Sequence, residues 1–462
     1  MAGPGPASGP AMADTIYALS SAPGRAGVAV VRLSGPGAGP ALEALAGRLP
    51  PPRQAARALL RGAPSDNGAG EILDDALVLW FPGPASFTGE DVAEFHIHGG
   101  RAVLAALFAA LRARPGLRLA EPGEFSRRAF ANAKLDLTQA EAIADLIDAE
   151  TEAQRRQGLA QMQGELGRLY EAWRQDLLRA LAHLEADIDF PEEDLPEGVT
   201  AAVAPQMRAL QAAIGAHLAD NRRGERLRDG IGVVILGAPN VGKSSLLNAL
   251  ARREAAIVSD IAGTTRDIVE VHLDLGGYPV VLADTAGLRE TADRIESEGV
   301  RRALARAESA DLKLLVIDAA SWPTLPPATA ALLDADTLLI ANKTDAAPLP
   351  PGARYQGRPV LPLSVATGAG LDELLKSLSA EIAARYGRQH GQGGNATLTR
   401  ARHREALEHC HASLARFLAN GGDAELAAED LRLAARALGR ITGSVGVEDI
   451  LDIVFRDFCI GK

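Results

Sequence analysis

Three hydrophobic periods follow one another along the chain. From 14 to 132, short runs alternate apolar with polar positions, as in Val28-Ala-Val-Val-Arg32-Leu, Ala76-Leu-Val-Leu-Trp80-Phe and Val92-Ala-Glu94-Phe-His96-Ile, with Gly and Pro between them. A period of two bounded by turn residues predicts strands, here within an α+β domain. From about 133 the period lengthens. Leu166, Leu169, Tyr170, Trp173, Leu177, Leu181, Leu184 and Ile188 recur at steps of three and four, the stripe of one long helix that Phe190-Pro191 ends. Thr138-Gln-Ala-Glu141 has the form of a capping box and predicts the opening of an earlier helix. A further helix is expected over Val203 to His217, and Arg222 to Gly230 reads as a charged linker.

Between 229 and 388 strands alternate with helices, which predicts a doubly wound, mostly parallel sheet. After the Gly/Gln/His link from Gln389 to Gly394 the helical period returns in Leu407, Cys410, Leu414, Phe417 and Leu418, stopped by Asn420-Gly421-Gly422. Two more helical segments lead to Phe458-Cys459-Ile460-Gly461-Lys462. Residues 133–228 and 389–462 are both helical, so the economical architecture is one discontinuous helical domain interrupted by an inserted α/β domain at 229–388, with the α+β domain at 14–132.

Composition narrows the function. A chain of 462 residues has room for about three domains, and 47% hydrophobic with 23% charged residues is a globular balance. No apolar run approaches the ~20 residues of a membrane span. Met1 to Ala13 lacks a basic and apolar leader pattern and reads as a disordered tail, with Met12 a second possible start. Two cysteines, Cys410 and Cys459, make no disulfide framework, which suits a reducing cytoplasm. The net charge of −11 gives no overall grip on nucleic acid, and the stretch 141–200 holds 15 acidic against 5 basic residues.

The sharpest chemistry is Gly237-Ala-Pro-Asn240-Val241-Gly242-Lys243-Ser244, set between the apolar run Val233 to Leu236 and a helical segment starting at Ser245. Strand, glycine loop and helix together make a phosphate cradle of backbone N–H groups; Lys243 would reach the β- and γ-phosphates and Ser244 would ligate Mg2+. Asp284-Thr285-Ala286-Gly287 follows a second strand, where a carboxylate can support the Mg2+ shell and a glycine N–H can meet the γ-phosphate. Asn342-Lys343-Thr344-Asp345 follows a third strand: Asp345 can accept from N1–H and the 2-amino group of guanine, which selects GTP over ATP, while Lys343 lies along the base. Ser364-Val365-Ala366 would offer backbone N–H groups to the guanine carbonyl. Between the first two motifs lies Ser259-Asp260-Ile261-Ala262-Gly263-Thr264-Thr265-Arg266-Asp267, from which Thr265 is chosen to complete the Mg2+ shell.

One position lacks an expected group. Leu288 follows Gly287 where signalling GTPases carry a water-orienting glutamine, so another group must position the water. Glu290, Asp293, Glu296 and Glu298 are the nearby carboxylates, and the transition-state cation is either an arginine, Arg266 or Arg289, or a bound metal ion. His96-Ile-His98 puts two imidazoles on one strand face, but with no third ligand nearby it reads as a strand edge leading into Gly99-Gly100.

With these residues assembled, the chain resembles the bacterial tRNA-modification GTPases called MnmE or TrmE, from Asp14 to Lys462. The marks are Pro23-Gly-Arg-Ala-Gly-Val, Phe87-Thr-Gly-Glu-Asp, Pro122-Gly-Glu-Phe-Ser, Lys134-Leu-Asp-Leu, Asp260-Ile-Ala-Gly-Thr-Thr-Arg-Asp267 and the terminal Phe-Cys-Ile-Gly-Lys. The resemblance implies a homodimer through the N-terminal domains, which bind 5-formyl- or methylene-tetrahydrofolate at positions matched here by Arg32, Glu94, Lys134 and Lys462. It implies a K+-dependent G domain in which Asn240, Ser259, Ile261 and Thr264 supply oxygens to K+, and Glu296 orients water indirectly alongside Lys243 and Asp284. It also implies a heterotetramer with the FAD-dependent MnmG. That complex adds an aminomethyl or carboxymethylaminomethyl group to C5 of the wobble uridine of certain tRNAs. The competing class is a ribosome-assembly GTPase, whose G domain carries the same motifs beside a basic RNA-binding module.

Overall fold

The computed structural model describes residues 14–64, 70–189, 199–253, 270–284, 310–387, 397–419, 423–446, 448–456, 458 and 461. In chain order, the first sheet and its helices comprise β1 (Thr15–Leu19), β2 (Ala26–Ser34), α1 (Ala38–Ala46), β3 (Ala56–Arg61), β4 (Ile72–Phe81), β5 (Val92–Gly99), α2 (Arg101–Arg112), β6 (Leu117–Leu119) and α3 (Glu124–Ala131). Helices α4 (Leu137–Ile147), α5 (Glu152–Met162), α6 (Glu165–Asp189), α7 (Val199–Leu218) and α8 (Arg223–Asp229) follow. A second sheet contains β7 (Ile231–Leu236), β8 (Glu270–Leu275), β9 (Tyr278–Asp284), β10 (Leu312–Asp318), β11 (Thr337–Asn342), β12 (Arg354–Tyr355) and β13 (Arg358–Pro362), with α9 (Lys243–Ala251), α10 (Pro327–Ala330) and α11 (Leu371–Tyr386). Helices α12 (Ala401–Ala419), α13 (Ala424–Thr442) and α14 (Glu448–Arg456) close the chain.

The described residues pack into two compact units, one drawn from 14–144, 162–189 and 423–461, the other from 145–161 and 199–419. In the first, the strand order is β3-β4-β5-β2-β1-β6, antiparallel throughout except for the β1–β6 pair. Alternation decides what each face carries. Val31, Leu33, Phe95, Ile97, Val78 and Trp80 turn to one side and are covered by Leu42 and Leu45 of α1 and Leu107 and Leu111 of α2. The register pairs Arg32 with Glu94, and Leu77 with His96, so these project to the opposite face. The long-period stripe of α6 buries Leu166, Tyr170, Leu177, Leu181 and Leu184, and the helix packs along α13.

In the second unit the order β12-β13-β11-β10-β7-β9-β8 is parallel across β13, β11, β10, β7 and β9, with an antiparallel strand at each end. Ile231, Val233 and Ile235 of β7 meet α9 and α11 on one face, while Val234 and Leu236 join Leu325 and Ala319 on the other. Each such fully buried aliphatic side chain contributes about 1.5–3 kcal/mol. Helix α7 packs along α12 in this unit. Among the described residues no helix is long and apolar enough to cross a membrane.

Three local expectations change. Arg223–Asp229 is a helix rather than a linker: it buries Leu227, and its Glu225 accepts from Arg404 Nε at 3.0 Å. Seven residues with one apolar position show no period to read. The capping pair of α4 is Asp136 with Gln139, not Thr138 with Glu141. Asp136 Oδ1 accepts from Gln139 N at 2.9 Å and Gln139 Oε1 accepts from Asp136 N at 3.0 Å. Finally, β5 is an interior strand, not an edge, and its two imidazoles go to different carboxylates: His96 Nε2 lies 3.2 Å from Glu94 and His98 Nδ1 lies 2.8 Å from Asp74.

Candidate nucleotide and anion sites

The loop after β7 is shaped by close packing. Gly237 has φ 144°, and a Cβ there would sit 2.2 Å from the Val316 carbonyl oxygen. Gly242 has φ 100° and caps α9, and a Cβ there would lie 2.3 Å from Asn342 Nδ2. Both positions therefore require glycine on conformational and steric grounds. Asn240 also adopts a positive φ, 63°, a conformation that side-chain-bearing residues take mainly in tight loops. Lys243 is buried at 9% exposure and its Nζ donates to the Ala238 carbonyl at 2.9 Å, folding the ammonium back over the cradle. Ser244 and Ser245 are exposed at the first turn. Loop amides, a helix N-terminus and an inward ammonium fit a polyphosphate, and the exposed hydroxyl of Ser244 fits the oxygen shell of its Mg2+.

A second loop is tied to the first. Asn342 ends β11 at 3% exposure. Its Nδ2 donates to the Val241 carbonyl at 2.8 Å and its Oδ1 accepts from Val365 N at 3.1 Å, so one amide joins the phosphate loop to Ser364-Val365-Ala366. Thr344 N donates to the Leu363 carbonyl at 3.1 Å, and Ser364 Oγ donates to Asp345 Oδ1 at 2.5 Å, which orients an exposed carboxylate. Lys343 takes a positive φ of 68°, and its Nζ lies 2.8 Å from Asp318 Oδ2. The Lys343 hydrogen bond, with the Ala320 amide, holds the Asp318 carboxyl below its ordinary value. Asp318 carries little signal of its own in the sequence, being simply an acidic residue that closes the apolar run Leu314-Leu-Val-Ile.

The backbone of Asp284 ends β9 in register with Ile235. Ser259, Asp260, Ile261, Ala262, Gly263, Thr264, Thr265, Thr285, Ala286, Gly287, Glu296 and Lys462 lie outside the described residues, as does the Asp284 side chain.

In the first unit, Arg32 Nε donates to Glu94 Oε1 at 3.0 Å, and its guanidinium stands 5.6 Å from the Phe87 ring centre and 5.9 Å from that of Phe125. Lys134 reaches the same β4–β5 loop from another side: Nζ donates to the Pro84 carbonyl at 2.9 Å and its stem lies against Gly89. The structure thus brings Arg32 and Glu94 into contact, and ties Lys134 to the loop that carries Phe87. Gly461 is seated on the end of β1, where Ser20 Oγ donates to its carbonyl at 2.9 Å. A guanidinium near two aromatic rings, tied to Glu94 through Nε alone, suits a carboxylate on an aromatic body.

Comparison with known proteins adds to this geometry. A family model described as the MnmE helical domain matches residues 137–459, and one described as the GTP-binding protein TrmE N-terminus matches 15–134. The chain is 59% identical over 452 residues to the tRNA modification GTPase MnmE of Paramagnetospirillum magneticum, covering 98% of this chain and 100% of that one. It is 61% identical over 459 residues to the protein of the same name from Rhodospirillum rubrum, covering 97% and 99%. Among solved structures, a variant of Aquifex aeolicus Era bound to GDP and aluminium fluoride is 26% identical with a TM-score of 0.26, covering 39% of this chain and 66% of that one.

Proposed function

The chain belongs to the MnmE family of tRNA-modification GTPases, and from that membership we propose how its residues divide the work. It is a GTP hydrolase acting in tRNA modification. The observation that carries the mechanism is the Asn342 bridge, which holds a phosphate cradle and a base-reading loop in one rigid frame.

GTP lies with its phosphates over Asn240, Val241, Gly242, Lys243, Ser244 and Ser245 and its base against Asn342, Lys343, Thr344, Asp345, Ser364, Val365 and Ala366. Lys243 exchanges the Ala238 carbonyl for β- and γ-phosphate oxygens, at little cost because the ammonium already points into the loop. Ser244 and Thr265, supported by Asp284, hold Mg2+; Asn240, Ser259, Ile261 and Thr264 hold K+. When bound, these cations neutralise charge developing on the phosphates, as an arginine finger does elsewhere. Glu296 orients water through an intermediary, since Leu288 has no polar atom. The second site binds 5-formyl- or methylene-tetrahydrofolate through Arg32, Glu94, Lys134 and Lys462.

By the same reading, 14–132 is the folate-binding and dimerisation domain, 229–388 the G domain, and 133–228 with 389–462 the helical domain. The homodimer works with FAD-dependent MnmG on C5 of the wobble uridine, GTP hydrolysis driving the conformational cycle. Two measurements test this. Hydrolysis should be faster in KCl than in NaCl, and tRNA from a deletion strain should lose the wobble-uridine modification on nucleoside analysis. Equal rates in both salts remove the K+ assignment; intact wobble nucleosides remove the pathway.

A further inference from the structure

We propose that Asp318 is a positioning residue for the nucleotide base, acting through Lys343, an inference that rests on the guanine-nucleotide reading of this site. Strands β10 and β11 are parallel neighbours, and their register sets Asp318 beside Asn342, one residue before the lysine. Lys343 then leaves the strand with a positive φ of 68°, a conformation that L side chains rarely take. Its side chain runs back to β10, where Nζ meets Asp318 Oδ2 at 2.8 Å.

The carboxylate is itself held. Asp318 Oδ1 accepts from Ala320 N at 3.0 Å, capping the 3-10 turn Ala319–Ser321, and Ser321 Oγ donates to the Asp318 carbonyl at 2.7 Å. One oxygen is fixed by the turn and the other is presented to the lysine. Lys343 is thereby pinned at both ends, by its backbone and by its ammonium. A lysine stem otherwise samples many rotamers, and ordering it on binding would oppose affinity.

Pinned, the four methylenes make a ready apolar rail beside Asp345, two residues on, whose carboxylate Ser364 fixes. A purine laid on that rail meets Asp345 with its edge and the lysine stem with its face. The two contacts differ in what they read. The edge contact distinguishes guanine from other bases, while the face contact serves any purine nucleotide.

The competing account is a rim ion pair that matters only to folding, since the two side chains are 43% and 32% exposed. Asp318→Asn separates the two, because asparagine caps a turn as well as aspartate and keeps the Ala320 hydrogen bond while losing the charge. The full-length chain is titrated with a fluorescent N-methylanthraniloyl GDP, as wild type, Asp318→Asn, Lys343→Ala and the double variant. Thermal unfolding of each is followed without nucleotide.

Asp318→Asn should weaken binding about three- to tenfold, the scale of one half-exposed charge-assisted contact. It should do so equally for GDP and IDP, and should add nothing once Lys343 is alanine. Unchanged affinity, or losses that multiply in the double variant, overturns the proposal. So does a loss confined to GDP, or one that merely tracks a lowered unfolding temperature. Failure of the wild type to bind GDP in preference to ADP would instead sink the nucleotide-site reading itself.

Discussion

Asn342 Nδ2 donates to the Val241 carbonyl at 2.8 Å across 101 residues of sequence. A buried amide with both ends used cannot be shortened cheaply. Asn342→Ala leaves the Val241 carbonyl and the Val365 amide without their partner, at about 1–3 kcal/mol each if water does not replace it. The expected outcome is a fall in unfolding temperature together with at least a tenfold loss of GDP affinity. Gly242→Ala attacks the same joint from the other side, since its Cβ would fall 2.3 Å from Asn342 Nδ2. It should bind nucleotide worse than Asn342→Ala does, as read by equilibrium titration.

In the first unit, Arg128 is 1% exposed and its guanidinium meets Glu124 at 3.0 Å, Glu90 at 3.1 Å and Asp14 at 2.9 Å. Removing it leaves Glu90 without its cation and Asp14 and Glu124 with Arg118 alone, so Arg128→Met should cost about 3–5 kcal/mol. Calorimetric unfolding of the full chain measures this. An effect below about 1 kcal/mol would mean that water takes over the cluster.

The same cluster gives a pH dependence with a definite sign. Burial pushes the Glu124 carboxyl up, but hydrogen bonds from Arg118, the Glu121 amide and Arg128 outweigh it, and the group lies below its ordinary value. Asp14 is depressed likewise, its burial outweighed by Arg118 and Arg128. A carboxyl depressed in the folded state contributes stability above its unfolded value and loses it as pH falls through the folded one. The unfolding temperature should therefore drop as pH falls from the ordinary carboxylate range, and Arg118→Met should flatten that drop. A slope unaffected by the substitution would assign the acid sensitivity to other groups.

Much of this architecture is legible in the sequence because it follows from short-range periods. The two-residue alternation of β2, β4 and β5 and the mixed three- and four-residue stripe of α6 both appear in the fold, each with its apolar positions turned into a core. What escapes is whatever depends on partners far along the chain. The seven residues of α8 carry too few apolar positions to show a period, and are organised by Arg404 from α12. The pairing of α6 with α13 and of α7 with α12 is a matter of which apolar stripes meet, on which a single stripe is silent. At the site, motif chemistry points to Lys243 and Asp345, but the bridging of Asn342 and the grip of Asp318 on Lys343 need the strand register.

Asp345 carries the base selectivity in our reading. Its Oδ1 accepts from Ser364 Oγ at 2.5 Å, which leaves an exposed carboxylate edge for two donors on the base. Asp345→Asn replaces one acceptor with an amide donor, which suits the 2-oxo group of xanthine and opposes the 2-amino group of guanine. The variant should lose at least tenfold in GTP affinity and gain binding of xanthosine triphosphate. A competition titration with both nucleotides reads the outcome directly; retained guanine preference would move the specificity loop elsewhere.

Arg32 tests the second site. Its Nε is committed to Glu94 at 3.0 Å, while its Nη groups hydrogen-bond to nothing among the described residues and its guanidinium lies 5.6 and 5.9 Å from the ring centres of Phe87 and Phe125. Glu94 aims the guanidinium, with His96 on its other oxygen at 3.2 Å, and the planar fork remains for an anionic tail. Arg32→Ala should weaken 5-formyl-tetrahydrofolate at least tenfold by isothermal titration calorimetry. Arg32→Lys should recover only part of it, because an ammonium keeps the charge but not the bidentate fork. Glu94→Gln should fall between wild type and Arg32→Ala, having freed the arginine without removing it. Equal affinity in all four proteins would take the folate away from this face of the sheet and leave Arg32 as a packing residue near two rings.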